Sequence, residues 1–259
     1  MKQMIYQVYL GKRSKLYDHC IKSVAAYCQE HGIDHIVQKT PILKIKPDIF
    51  VTNRSKESYE KHGGFLPIYE KENAFDYFKK YEQIAIVDAD IWIRPNSPNI
   101  FNELDPQVDF AGVVEREMPL QEWYKQKILN YSRMQYSSLH GPVNFAPNKL
   151  GFEFYNMGLM VMNRSIYKYI NQVARDFITR SEFKDFVDGQ GPWKWSTDQT
   201  LLNYWVRKQE MKQQHLEWKW NALYTAVNDP KSAYFVHFFL KDKLPNRGEN
   251  VDELRKLVE

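Results

Sequence analysis

Apolar segments short enough for strands alternate with amphipathic segments long enough for helices. QMIYQVYLG (3–11) reads as a buried first strand. SKLYDHCIKSVAAYCQEHG follows, with Leu16, Cys20, Val24 and Cys28 at helical spacing and Gly32 as the stop. IDHIVQ (33–38) reads as a second strand. Residues 41–70 are poorly patterned, with Pro41, Pro47 and Gly63-Gly64; beyond them a helix is predicted over 72–81, leading into QIAIVDADIWI. Further strands are predicted at 109–114 and 154–163, helices over 165–180 and 197–210, and a last strand at 233–239. VDELRKLVE predicts a short docking helix with Val251, Leu254 and Leu257 on one face. The segment between Glu115 and Gly151, rich in Tyr, Gln, Asn and Pro, predicts loops around a site. This order predicts an α/β fold with a mainly parallel central sheet flanked by helices.

Inside IAIVDADIWI (84–93), Asp88 and Asp90 interrupt an apolar run. In an unbroken strand they project to the same face. Neighbouring carboxylates repel, and a hard divalent ion such as Mg²⁺ or Mn²⁺ offsets that repulsion. The C-terminal edge of a parallel sheet is also where α/β folds bind ligands. A D-x-D arises by chance on the order of once in a chain of this length. The apolar flanks therefore carry the reading, and an exposed turn or bulge is the plain alternative.

Composition adds limits. At 259 residues and 43% hydrophobic content the chain can build one large domain or two small ones. A net charge of +4 spread over a 26% charged content argues against a nucleic-acid binder. Aromatics reach 15%, enough to fill a large core and to stack on sugars or bases. Cys20 and Cys28 fall on one predicted helix, about 12 Å apart at its rise per residue, too far to bridge. Free thiols imply a reducing compartment. No stretch approaches the roughly 20 apolar residues of a membrane span, and the first twenty residues lack a signal peptide's apolar region, so a cytoplasmic protein is expected.

Four segments share an order with a known family. KKYEQIAIVDADIWIRPNSPNIFNEL resembles the segment around the D-x-D motif of nucleotide-sugar-dependent glycosyltransferases with the GT-A fold. FYNMGLMVMN is similar to the F-N-x-G-hydrophobic-N strand of glycosyltransferase family eight, the glycogenin and lipopolysaccharide galactosyltransferase group, matching at Asn156, Gly158 and Asn163. STDQTLLNYW is similar to that family's D-Q-D-x-L-N helix start, with Asp198, Gln199, Leu202 and Asn203 kept and Thr200 in place of the second aspartate; Ser196 or Thr197 could cap this helix. VHFFLKDKLP resembles the H-x-x-G-x-x-K-P-W segment, with His237 and Lys243 in place, but Leu240 stands at the glycine and Leu244-Pro245 where Pro-Trp is usual. Trp220-Asn221 resembles the family's Trp-Asn.

The resemblance implies a GT-A fold with a small antiparallel element near the active site. It implies residues 1–95 as a nucleotide-binding half, 96–245 as a donor-sugar and acceptor half, and 246–259 as a docking helix. It implies Asp88, Asp90 and His237 as ligands of Mn²⁺ or Mg²⁺, with Asp90 ligating directly and Asp88 shared with sugar or ribose hydroxyls. Tyr9, Gly11 and Lys12 would meet the base, and Asp88, Ala89 and Lys243 the rest of the nucleotide. Asn156, Gly158, Asp198 and Gln199 would bind the donor sugar, with Asp198 and Gln199 as the catalytic pair. The implied reaction is transfer from a UDP-sugar to a glycan or other hydroxyl acceptor with retention of configuration. A peripheral membrane contact through the acceptor is compatible with this. Two other classes compete. A non-catalytic nucleotide- or carbohydrate-binding module shares the aromatics, and a haloacid-dehalogenase-type phosphatase shares the D-x-D but wants D-x-[TV] near the first strand, where this chain has Ile91-Trp92 after the pair.

Overall fold

The computed structural model describes residues 1–48, 60, 63–195 and 198–259. Its central sheet has the order β2-β1-β3-β6-β5-β7, built from β1 (Gln3–Val8), β2 (Asp34–Gln38), β3 (Gln83–Val87), β5 (Phe110–Val114), β6 (Tyr155–Asn163) and β7 (Gln213–His215). β1 pairs in parallel with β2 and β3, and β5 with β7, whereas β6 runs antiparallel to both β3 and β5. The sheet is therefore mixed. The strand–helix–strand alternation that implies parallel neighbours ends at β3. From there the chain leaves for a second sheet, and no crossover fixes the direction of β6.

Alternation along the strands feeds two cores. Ile84 and Ile86 of β3 pack on one side with Tyr6, Phe75 and Met160. Ala85 and Val87 face the other side with Ile5, Leu16 and Leu159. Helix α1 (Lys15–His31) covers the second core, capped by the Ser14 side chain at its start and by Gly32 at φ 64° at its end. Cys20 and Cys28 are buried in it as free thiols.

The second sheet, β4-β9-β8, joins β4 (Ile91–Ile93) antiparallel to β9 (Phe235–His237), which pairs in parallel with β8 (Ala222–Leu223). A small antiparallel element was expected; the sheet is antiparallel only between β4 and β9. The helix expected over 72–81 starts earlier and is tighter, a 3₁₀ segment from Pro67 to Lys79 with proline at its first turn. The region expected to be loops contains α2 (Glu122–Tyr136). Its buried face includes Ser132 and Gln135, which blur the apolar stripe that marks a helix. The helix expected over 165–180 breaks at Asn171, at φ 50°, into the short turns Tyr167–Ile170 and Ala174–Ile178. The helix expected over 197–210 is α3 (Asp198–Lys208); its Ser196 or Thr197 cap lies outside the described residues.

The docking helix is α4 (Val251–Val258), and it buries Leu254 and Val258, four residues apart, rather than Val251 and Leu257. Arg94 donates to the Val258 carbonyl at 2.7 Å, which turns the last helical turn inward, and Leu257 is left 40% exposed. Among the described residues no helix is long and apolar enough to cross a membrane.

Candidate active site

The strand into which Asp88 and Asp90 were placed does not continue. β3 ends at Val87, the Ile91 amide closes a turn onto the Asp88 carbonyl at 3.1 Å, and β4 then enters the second sheet. Asp88-Ala89-Asp90 is the link between the two sheets. Both carboxylates reach one cavity because of that turn, not because of strand alternation. The turn is held from both sides: the Asp88 amide donates to the Gly158 carbonyl at 2.8 Å, and the Phe238 amide to the Asp90 carbonyl at 2.9 Å.

The register of β9 on β4 pairs His237 with Ile91, so its imidazole arrives beside the turn from far along the chain. His237 Nε2 lies 3.3 Å from Asp90 Oδ1 and 3.9 Å from Asp88 Oδ2. Burial acts to lower the imidazole, but the two carboxylates outweigh it and hold it above its ordinary value. Its other nitrogen, Nδ1, lies 3.1 Å from Asn221 Oδ1. An amide oxygen there takes the proton on Nδ1, so Nε2 is the nitrogen that meets the carboxylates and, once its own proton is released, a cation. The three ligand atoms lie within 4.8 Å of one another. The 3.3 Å separation is close to the roughly 3 Å between adjacent ligands of an octahedral ion with bonds of about 2.1 Å. Two carboxylate oxygens and one imidazole, with no sulfur, suit Mn²⁺ or Mg²⁺.

Gly158 is what makes room for this histidine. A Cβ added there would sit 2.4 Å from His237 Cε1 and 2.7 Å from Nδ1. Asn156, two residues earlier on β6, accepts from the Gly158 amide at 3.0 Å and from Asn221 Nδ2 at 3.0 Å, and donates to Glu115 at 2.8 Å. Its amide is thus committed inside the protein, although the residue also lines the cavity.

The opposite wall comes from α3. Asp198 and Gln199 open that helix, and the Asn203 side chain, one turn on, clamps it to β6 through the Tyr155 amide at 2.7 Å and carbonyl at 2.9 Å. Thr200 turns away and donates to Gln135 at 2.9 Å, so the departure from a second aspartate does not touch the cavity. Gln199 Oε1 accepts from the Met157 amide at 3.1 Å.

Between the two walls stands Lys71, which the sequence did not single out. Its ammonium bridges Asp198 Oδ2 at 2.6 Å and Asp88 Oδ1 at 3.1 Å and donates to the Met157 carbonyl at 2.8 Å. Burial alone would lower this lysine, yet Asp198 and Asp88 hold it well above its ordinary value, so it is a fixed positive charge. Burial raises the Asp198 carboxyl, and Lys71 pulls against that rise.

The neighbouring Glu72 is fully buried, and neither oxygen has a hydrogen-bond partner among the described residues. Burial first, then Asp198, push its carboxyl well above the ordinary 4.5. Below that pH it is protonated in both folded and unfolded chains, and Glu72→Gln is expected to change stability little. As pH rises past 4.5 the unfolded chain releases the proton first and the wild type loses stability by up to about 1.4 kcal/mol per pH unit. Urea denaturation should therefore show Glu72→Gln gaining on the wild type from pH 5 to 8; equal slopes would contradict a buried neutral carboxyl.

These residues surround a cavity of about 580 Å³ at the C-terminal ends of β1 and β3, where Val8 and Val87 reach its wall. Asp88, Ala89, Asp90, Asn156, Gly158, Asp198, Gln199 and His237 line it, and Lys71 and Tyr17 join them. Tyr9, Gly11, Lys12 and Lys243 are not among its lining residues, and from the first strand Val8 and Leu10 are. Tyr9 instead packs edge-on against Tyr17 at 5.4 Å. Lys243 lies 3.5 Å over the Trp123 ring, in a separate shallow groove. Lys241, in the same turn, lies 3.6 Å over the Tyr17 ring, and Asp90 acts on it electrostatically. Leu240 adopts φ 54° and ψ 59°, so the loop keeps the left-handed bend open to glycine at a strain of about 1–2 kcal/mol.

No protein-family model matches the sequence, and no curated protein matches it. Solved structures do. A glycosyltransferase involved in the glycosylation of the major capsid of PBCV-1 is 14% identical, with 98% of this chain and 100% of that one covered at a TM-score of 0.56. The chain has the GT-A glycosyltransferase fold. The galactosyltransferase LgtC, in complex with donor and acceptor sugar analogs, aligns over 98% of this chain and 95% of its own at 15% identity and a TM-score of 0.53. Mouse xyloside xylosyltransferase 1 aligns over 95% of this chain and 100% of its own at 11% identity and a TM-score of 0.51. The GT-A fold therefore extends over nearly the whole length, from β1 to α4.

Proposed function

We propose that the chain is a metal-dependent glycosyltransferase that moves a sugar from a nucleoside-diphosphate sugar, best a UDP-sugar, to a hydroxyl of a glycan or similar acceptor, with retention at the anomeric carbon. The observation that carries this reading is the meeting of two groups in one cavity: Asp88, Asp90 and His237 on one wall, and Asp198 and Gln199 on the other. A haloacid-dehalogenase-type phosphatase fits less well, because Ile91-Trp92 follows the aspartate pair and the chain there enters a second sheet.

Breaking the bond from the anomeric carbon to the diphosphate builds negative charge on the leaving group. Mn²⁺ or Mg²⁺ bound at Asp88, Asp90 and His237 supplies Lewis-acid stabilisation of that charge, of the order of several kcal/mol. Lys241 adds positive charge from its place against Tyr17, near Asp90. On the sugar side positive charge develops. Lys71 keeps Asp198 poised as a carboxylate facing that charge, and its contact with Asp88 ties the position of the sugar wall to that of the metal wall. Gln199, pinned to the Met157 amide, presents a fixed amide to the reacting face.

A thermal-shift screen of nucleotide sugars with Mn²⁺ tests the reading, since a ligand at 100 times its Kd stabilises by about 2.7 kcal/mol. A UDP-sugar is expected to raise Tm in the wild type. Asp90→Ala is expected to keep its fold, lose the shift and lose donor hydrolysis. Full donor hydrolysis in EDTA would contradict the proposal.

A further inference from the structure

His237 ends a continuous line of buried side-chain hydrogen bonds that the proposed chemistry does not itself require. Its Nδ1 lies 3.1 Å from Asn221 Oδ1, Asn221 Nδ2 donates to Asn156 Oδ1 at 3.0 Å, and Asn156 Nδ2 donates to Glu115 Oε2 at 2.8 Å. The other Glu115 oxygen accepts from the Tyr124 hydroxyl at 2.5 Å. The members come from β9, the bend before β8, β6, the turn after β5, and α2, and all five are buried.

The line has a direction. A carboxylate only accepts, so Asn156 must turn its NH₂ toward Glu115 and its oxygen toward Asn221. Asn221 must then donate to Asn156 and offer its oxygen to His237, which places the imidazole proton on Nδ1. Burial pushes the Glu115 carboxyl up, and the Gly158 amide donates to the same Asn156 Oδ1 at 3.0 Å, a second contact in the same sense. Reversing any one amide would put two donors or two acceptors face to face in a buried site, which costs about 1–3 kcal/mol.

We propose that Glu115 and Tyr124 are positioning residues: through Asn156 and Asn221 they hold His237 as the Nδ1–H tautomer, with Nε2 open to a divalent cation. This rests on the reading of Asp88, Asp90 and His237 as a metal site. The tautomer itself is measurable without metal.

The experiment has two readouts, long-range ¹⁵N–¹H correlation of the imidazoles in metal-free protein at alkaline pH, with His237→Asn assigning the signal, and Mn²⁺ affinity by calorimetry. The wild type is expected to show only the Nδ1–H form of His237. Glu115→Leu is expected to mix the tautomers and weaken Mn²⁺ binding about 10–100-fold. Glu115→Gln keeps an oxygen for Asn156 while the Tyr124 hydroxyl rotates to accept from the new NH₂, so it should retain both properties. The near-isosteric double variant Glu115→Gln, Tyr124→Phe removes that acceptor, frees the amide to turn either way, and should reproduce the loss even if Glu115→Leu fails to fold. An Nε2–H wild type, or a folded double variant with tautomer and Mn²⁺ affinity unchanged, would overturn the proposal. A wild type that shows the Nδ1–H form but binds no Mn²⁺ would overturn the metal reading instead.

Discussion

Lys71→Met is expected to destabilise the protein by about 3–5 kcal/mol at pH 8, the usual loss when one partner of a buried ionic group is removed. Methionine fills nearly the same volume, so the effect is electrostatic. Without the ammonium, Asp198 is a buried carboxylate, its nearest cation gone, beside the carboxylate of Asp88. The Met157 carbonyl loses a donor at 2.8 Å as well. The pH dependence separates this from a packing defect. Burial already raises the Asp198 carboxyl, and removing Lys71 raises it further. In acid the carboxyl is protonated in both folded and unfolded chains and the missing ammonium costs little. As pH rises the unfolded chain ionises first, so the deficit of the variant grows from pH 5 to pH 8. A loss under about 1 kcal/mol at pH 8, or one that ignores pH, would contradict the role given to Lys71.

Gly158→Ala, a single added methyl, is expected to abolish metal-dependent nucleotide binding. Gly158 has an ordinary backbone conformation, so its requirement is space alone. The added carbon would stand 2.4 Å from His237 Cε1 and 3.0 Å from Asn156 Oδ1, and its neighbours cannot easily yield. β6 is held between β3 and β5, and the Gly158 carbonyl anchors the Asp88 amide at 2.8 Å. The imidazole must move and break its bond to Asn221. Overpacking of this kind costs about 1–3 kcal/mol, which leaves a folded protein in which a loss of Mn²⁺ affinity of at least 100-fold can be measured by titration. Unchanged affinity would show that His237 does not need this seat.

The first strand, α1 with its Gly32 stop, and β2 were legible because each is specified by local periodicity and, for the helix, by the chemistry of its end. The D-A-D turn was legible as a place but not as a shape. Ile84 to Val87 and Ile91 to Ile93 share one apolar pattern, and only the pairing of β4 with the distant β9 shows that they belong to different sheets. Lys71 was not legible. It lies among Glu70, Glu72 and Asn73, between a poorly patterned segment and the predicted helix, and its burial follows from a fold that brings Asp198 to it from across the chain. Glu115 opens a segment that read as loop, and its partners Tyr124 and Asn156 are fixed by α2 and β6. Asn221 carried a signal only through its place after Trp220. Asn156 and Gly158 were read toward the donor sugar, and the geometry gives each a further task in seating His237.

The most direct measurement is the linkage between metal and nucleotide. If Asp88, Asp90 and His237 hold a cation that meets the donor diphosphate, Mn²⁺ should tighten UDP binding by about 5–150-fold, and UDP should tighten Mn²⁺ binding by the same factor. Calorimetric titration of each ligand with and without the other, in the wild type and in Asp90→Ala, gives both numbers. The account predicts equal and reciprocal tightening in the wild type and none in the variant. UDP binding that is equally tight in EDTA, or a tightening that persists in Asp90→Ala, would contradict it.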